Sequence, residues 1–346
     1  MPQIITYSPA YTLVPTYECF NRCSYCNFRA DPGQSPWLSL ERARQLLTPL
    51  QTQGVCEILI LSGEVAPRSP RRRPWFERIY QLCELALEMG FLPHTNAGPL
   101  SYKEMAALGT VNVSMGLMLE QLSPRLQATV HRYAPSKNPQ LRLQQLQQAG
   151  ELKIPFTTGL LLGIGETQAD WAKSLEAIAA MHNRWGHIQE IILQPHSPGR
   201  QQELAAPALE SHQLLEAIAL AREILPAAIA IQIPPNLLAD ATALQAAVAA
   251  GACDLGGLGP TDEVNPDYPH PTPESLQSQL APLGWHLQPR LPVYPQFIAE
   301  LPARLQAATR ACKEAKFKNS NQASSAQTPD EERHLEQSSL GNGSNS

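Results

Sequence analysis

Short runs rich in β-branched and apolar residues alternate with longer helical runs along most of the chain, and that alternation limits the fold more than any other feature. The extended runs are Thr12–Tyr17, Cys56–Leu61, Leu92–Thr95, Val111–Met115, Pro155–Leu162, Ile188–Gln194 and Ala228–Ile233, with Ala252–Leu255 as an eighth. Between them, Leu40–Gln53, Trp75–Met89, Pro139–Ala149, Asp170–Arg184, Ser211–Ile224 and Asp240–Ala250 carry helical periodicity. Ser39 precedes the first helix as an N-cap, and Gly54, Gly90 and Gly150 follow three of them as stops. Such alternation produces parallel βαβ units. Polar residues recur at the C-terminal ends of the strands, where (β/α) barrels build their active sites. The expected fold is therefore an α/β TIM-type (β/α) barrel, partial or full, rather than a doubly wound sheet.

The 346 residues suffice for one such barrel. Residues 1–312 are assigned to the barrel and a C-terminal extension of it. Residues 313–346 turn to Ser, Asn, Gln, Glu and Gly, and a tail so poor in large apolar residues is expected to be disordered. Gly256–Pro273 reads as a long Pro-rich loop, of a length that in compact domains is functional or disordered. A net charge of -5 supplies no phosphate-neutralising surface, so a nucleic-acid partner is not expected. The start lacks a basic stretch followed by an apolar run, and no apolar segment is long enough to cross a bilayer. A cytoplasmic protein without a membrane partner is expected.

Directly after the first extended run stands Glu18-Cys19-Phe20-Asn21-Arg22-Cys23-Ser24-Tyr25-Cys26-Asn27-Phe28-Arg29. Three cysteines crowded into eight residues of a chain without an export signal indicate metal binding more than disulfides. Three thiolates can hold three irons of a cubane cluster and leave the fourth open for a ligand, whereas four would close it. A zinc site needs a fourth ligand, and no His or Cys lies in the next 25 residues. Cys56, Cys83, Cys253 and Cys312 are scattered and read as buried packing residues.

The triplet, with an aromatic residue just before its last Cys, resembles the radical S-adenosylmethionine (SAM) superfamily, and the expected fold becomes that superfamily's TIM-type barrel. The resemblance implies a 4Fe-4S cluster on Cys19, Cys23 and Cys26, and SAM on its open iron. An electron passed to the sulfonium then yields a 5'-deoxyadenosyl radical, so an external one-electron reductant is implied. It also assigns SAM contacts to Tyr25, to Ser62-Gly63-Glu64 after the second strand, and to Ser114, Glu120 and Arg132 beyond the fourth. Gly163 and Gly165 after the fifth are assigned to the adenine. By residue type alone, Ser62-Gly63-Glu64 reads as an ordinary turn, and Arg132 is equally a surface arginine.

The stretches TYSPAYTLVPTYECFNRCSYCNFR, SMGLMLEQLS, KIPFTTGLLLGIGET, ILQPHSPG, IPPNL and DEVNPDYPHP resemble the 7,8-didemethyl-8-hydroxy-5-deazariboflavin synthase family over about residues 3–300. They depart from it at Val65-Ala66 and the following Pro- and Arg-rich stretch, where Arg71, Arg72 and Arg73 read as a solvated loop. That family has two radical SAM partners, one joining tyrosine to a ribitylaminouracil and one closing the adduct into the deazaflavin. The cysteine motif resembles the ring-closing partner. The implied substrate is the hydroxybenzyl ribityl uracil adduct, and the condensing subunit is a further candidate partner. The condensing reaction and a biotin-synthase-like activity remain alternatives. His94 and His196 are candidate proton-transfer residues. Asn96, Gln194, Asn236, Asp254 and Asp262 are candidate substrate ligands, with Glu263, Asn265 and Asp267 on the same loop.

Overall fold

The computed structural model describes residues 3–317. Eight strands form a closed parallel barrel: β1 (Gln3–Leu13), β2 (Glu57–Leu61), β3 (Leu92–Asn96), β4 (Ser114–Gly116), β5 (Phe156–Leu162), β6 (Ile188–Pro195), β7 (Ala230–Gln232) and β8 (Asp254–Leu258). Thr6–Pro9 of β1 pairs with β8 and Ala10–Leu13 with β2, which closes the ring. The barrel is thus full rather than partial.

Helices α1 (Leu40–Leu47), α2 (Arg72–Glu88), α3 (Tyr102–Leu108), α4 (Pro124–Ala128), α5 (Pro139–Glu151), α6 (Gln168–Trp185), α7 (Ser211–Ile224), α8 (Ala241–Ala249) and α9 (Pro273–Leu280) connect the strands. Ser39 caps α1 by accepting from the Arg42 N–H at 3.1 Å. Thr167 and Asp170 cap α6 reciprocally. Strand β5 is buried along its whole length, as a strand inside a ring of helices must be. Among the described residues no helix is long and apolar enough to cross a membrane.

Several boundaries differ from those the sequence suggests. Strand β1 begins at Gln3 and ends at Leu13, whereas the expected run began at Thr12. Pro9 hides it, because a proline cannot donate to a ladder; the register shifts between Thr6 and Ser8, just before it. Gly150 lies inside α5 rather than after it, and the Trp185 ring fills the place a β-carbon would take, 2.5 Å from its Cγ. Arg72 and Arg73 open α2, not a loop. Arg72 donates two bonds to Glu104, at 2.8 and 2.9 Å, and lies 4.3 Å over the Trp75 ring; Arg73 remains exposed.

A ninth strand, β9 (Trp285–Pro289), pairs with Gln3–Tyr7 of β1, and α10 (Ala303–Phe317) follows. Neither was expected as a defined element. The segment between them turns under the N-terminal end of the barrel. There Leu291, Val293, Phe297, Leu301, Leu305 and Cys312 pack on Cys56, Leu92 and Val113 at the strand starts. Cys83 is buried as well, while Cys253 is half-buried. Helix α10 runs five residues past position 312; the remainder of the tail expected to be disordered, 318–346, lies outside the described residues.

Candidate active site

Residues 14–39 leave the C-terminal end of β1 as a loop pinned from several sides. Backbone bonds run from Cys19 N–H to Ala30 at 3.1 Å, from Phe20 to Glu64 at 3.0 Å, from Arg22 to Tyr133 at 2.8 Å and from Ser24 to Val130 at 3.1 Å. Inside it, buried Glu18 accepts from the Gly33 N–H at 2.7 Å and the Trp37 indole at 3.3 Å, and pairs with Arg71. These bonds place Cys19, Cys23 and Cys26 on the wall of one chamber. Burial raises the Cys19 thiol, with Glu64 adding to it, and pushes Cys23 up to about 12. A bound metal reverses that preference by deprotonating a coordinating thiol.

The same chamber is walled by Ser62, Gly63 and Glu64 after β2, by Tyr25 and by Glu120 beyond β4. Gly63 is held against the cysteine loop, its N–H donating to Thr16 at 2.8 Å; a β-carbon there would sit 2.3 Å from the Glu18 carbonyl oxygen. Gly98 leaves room for the Glu64 side chain in the same way. Ser62 accepts from the Trp75 indole at 3.0 Å. The Tyr25 hydroxyl meets His131 Nε2 at 3.0 Å.

Two cations that sequence reasoning missed complete the wall, Lys137 and Arg142. Lys137 pairs with Glu120, and Arg142 lies 3.7 Å from both Glu64 and Glu120. Burial disfavours the Glu120 charge, but Lys137 and Arg142 outweigh it and hold the carboxyl below its ordinary range. Arg132 lines neither chamber; it is exposed and stacks 5.2 Å over Tyr133. Ser114 is also elsewhere, buried between His94 and the Pro292 carbonyl. Gly163 and Gly165 lie outside both chambers, in a turn where Glu166 accepts from the Gly163 and Ile164 N–H groups at 2.6 and 2.8 Å.

Asn96 and Gln194 line this chamber and a second, deeper one inside the barrel. His94, Asp262, Glu263, Asn265 and His270 also line the deep chamber, so the long loop after β8 forms part of its wall. Asp262 organises that loop by accepting from the Val264 and Asn265 N–H groups at 2.9 and 3.0 Å and from the Asn236 amide at 2.9 Å. Asn236 therefore acts behind the wall. Asp254 lies behind it as well, fully buried against Arg290. Sequence reasoning also missed Glu57, Glu190 and Arg290, which do line the deep chamber. Asp267 braces the mouth through Asn27 at 3.1 Å and an ion pair with Arg200.

The two histidines differ. Ser114 donates to Pro292 at 2.7 Å, so its oxygen accepts from His94 Nδ1–H at 2.7 Å and leaves Nε2 with a free lone pair. Burial, with Arg290 nearby, lowers His94 to about 3, so it is neutral and a hydrogen-bond acceptor. His196 lines the upper chamber. Its Nδ1 donates to the Pro207 carbonyl at 3.1 Å, and the Gln202 amide, turned to present its nitrogen, satisfies Nε2 at 3.2 Å.

Among the described residues no three metal-binding side chains converge on a single ion position. A cubane cluster does not ask for that, because each cysteine binds a different iron. Three thiols on one wall, beside paired cations and carboxylates, fit the cluster together with a zwitterionic ligand such as SAM. The radical SAM superfamily model matches residues 13–178. A Trichormus variabilis protein named 7,8-didemethyl-8-hydroxy-5-deazariboflavin synthase is 67% identical over 311 residues, covering 90% of this chain and 92% of the relative. Proteins of the same name from Synechococcus elongatus and Thermosynechococcus vestitus are 66% and 63% identical, over 88% and 87% of this chain and 90% and 96% of theirs. In fold, the chain is similar to the FeFe-hydrogenase maturase HydG from Carboxydothermus hydrogenoformans, with TM-score 0.68 and 17% identity over 91% of this chain and 77% of that one. It is also similar to methylornithine synthase, with TM-score 0.61 and 13% identity over 83% and 84% of the two chains. The chain is therefore a radical SAM enzyme and belongs to the family of 7,8-didemethyl-8-hydroxy-5-deazariboflavin synthases.

Proposed function

We propose that this enzyme closes the deazaflavin ring system. It converts 5-amino-5-(4-hydroxybenzyl)-6-(D-ribitylimino)-5,6-dihydrouracil to 7,8-didemethyl-8-hydroxy-5-deazariboflavin and releases ammonia, methionine and 5'-deoxyadenosine. The observation that carries the reading is the junction of the two chambers: the one bearing the three thiols opens past Asn96 and Gln194 into a polar chamber within the barrel. The names of the relatives support the product.

Cys19, Cys23 and Cys26 hold the cluster, and Glu64, Glu120, Lys137 and Arg142 meet the charged groups of SAM. Bound there, the two supply a carbon-centred radical and the electron chemistry that side chains lack. The protein's part is to hold the adduct with its reacting carbon toward the thiol chamber and to exclude water. Asn96 and Gln194 stand at the junction and orient the substrate there. His94 Nε2 accepts a hydrogen bond deeper in. An external one-electron reductant would prime the bound cluster, the overall conversion balancing without a net electron, and the condensing radical SAM enzyme supplies the adduct.

The test is an anaerobic assay of the reconstituted enzyme with synthetic adduct, SAM and dithionite. Fluorescent deazaflavin and stoichiometric 5'-deoxyadenosine are expected. Consumption of tyrosine and 5-amino-6-(D-ribitylamino)uracil, with formation of the adduct, assigns the chain to the condensing reaction instead.

A further inference from the structure

The deep end of the barrel holds more buried carboxyl groups than it has cations to match them. Glu57 on β2, Glu190 on β6 and Asp254 on β8 surround a single guanidinium, Arg290. Arg290 commits Nε and one Nη2 hydrogen to Asp254, the other Nη2 hydrogen to Glu190 at 2.7 Å, and one Nη1 hydrogen to the Leu291 carbonyl at 3.1 Å. Glu190 also accepts from Thr157 at 2.8 Å and, like Asp254, from the Tyr294 hydroxyl at 3.1 Å. Glu57 has no comparable set: among the described residues it forms no ion pair, and Arg290 and the Ser8 hydroxyl are what favour its charged form. His94 on the neighbouring strand is neutral and offers no compensating charge.

One guanidinium offsets one carboxylate charge, so both glutamates are pushed toward the protonated form: Glu190 to about 7, and Glu57, which has no ion pair, in the same direction. Burial accordingly pushes the Glu57 carboxyl above its ordinary range, with Asp254 adding to it against the pull of Arg290. A protonated carboxyl presents a donor and an acceptor side by side, the complement of an N–H beside a C=O. Both Glu57 and Arg290 line the deep chamber.

We propose that Glu57, with Arg290 beside it, anchors the substrate by reading an imide edge, an N–H adjacent to a C=O on a neutral ring. That the ring is a pyrimidinedione rests on the reaction proposed above. The Glu57 hydroxyl donates to the ring carbonyl and its carbonyl oxygen accepts from the ring N–H. Glu57 positions the substrate without touching the thiol chamber.

The test uses the anaerobic holoenzyme and two stable probes, 6-(D-ribitylamino)uracil and its N3-methyl derivative, which lacks the imide donor between the two carbonyls and keeps N1–H. The parent should bind the first at least about tenfold more tightly, since a lost pair of buried hydrogen bonds is worth about 1–3 kcal/mol. Glu57→Gln keeps one donor and one acceptor and should bind within about threefold of the parent. Glu57→Leu should lose at least about tenfold in affinity at unchanged iron content and SAM affinity. Equal binding of the two probes by the parent overturns the anchor, whether or not Glu57→Leu folds. Undiminished affinity in Glu57→Leu overturns it too. Deazaflavin formation is followed alongside: product without probe discrimination removes the anchor alone, while neither product nor probe binding removes the anchor and the proposed reaction together.

Discussion

Lys137 and Arg142, rather than Arg132, carry positive charge to the wall that bears the three thiols. Arg142→Ala would leave Glu64 and Glu120 facing a cavity with one buried cation fewer. SAM affinity measured by equilibrium dialysis should fall about tenfold or more, because buried charge-assisted bonds are worth about 1.5–3 kcal/mol. Arg132→Ala should bind SAM as the parent does; a matching loss there would return that residue to the site. At the cluster, Cys23→Ala leaves two thiolates, too few for the arrangement, so anaerobic reconstitution followed by iron and sulfide counting should find less than half the parent content. The thiols were legible because their spacing alone groups them. Lys137 and Arg142 were not, because the turn after α4 and the start of α5 bring them to the wall from more than 100 residues beyond the cysteines. Nothing in their immediate sequence marks that return. His94 was legible as a strand-end residue, but its tautomer depends on Ser114 and Pro292, separated from it by 20 and 198 positions.

At the scale of elements, the alternation of strands and helices was readable where a strand carries a run of apolar residues, as in Ile58–Leu61 of β2 and Leu160–Leu162 of β5. It misled where pairing rather than composition defines the strand. Strand β1 contains a proline, β4 is three residues long, and β9 has a half-buried, alternating pattern that pairs only along the first part of β1. The base of the barrel was the largest omission. Residues 290–317 carry apolar side chains too widely spaced to announce a core, yet they cover Cys56, Leu92 and Val113. Leu305 is fully buried there. Leu305→Ala should lower unfolding free energy by about 2–5 kcal/mol in urea denaturation, the range for a large aliphatic residue removed from a packed core. Unchanged stability would mean that α10 merely rests on the surface. Removing residues 318–346, whose composition offers almost nothing apolar to bury, should leave both melting temperature and turnover unchanged.

Across the whole molecule, histidines buried in neutral form set the response to acid. Burial lowers His94 to about 3 and both His131 and His187 to about 4, from an ordinary 6.5. Below pH 6.5 the unfolded chain takes up protons at these positions and the native state does not, so stability falls as the pH drops. Each group contributes about 1.4 kcal/mol per pH unit in that window. Glu190 works the other way. Its carboxyl is raised to about 7 from 4.5 by burial, partly offset by Arg290, so the native state holds a proton there that the unfolded chain has released. Its contribution is therefore present below 4.5 and lost as the pH rises toward 7, which cancels roughly one histidine between pH 4.5 and 6.5. Glu57, raised in the same sense, adds to that offset, while His182 and His270, lowered by burial, add to the histidine side. His187 isolates the effect, since it lies beside Phe156, at the start of β5, and lines neither chamber. In urea titrations of the holoenzyme at pH 6.5, 5.5 and 5.0, His187→Gln should lose stability less steeply than the parent, by about 1.4 kcal/mol per pH unit. Comparing variant with parent cancels any acid lability of the cluster, which both proteins share. Parallel pH slopes in the two would show that His187 takes up its proton in the folded protein, contrary to its burial.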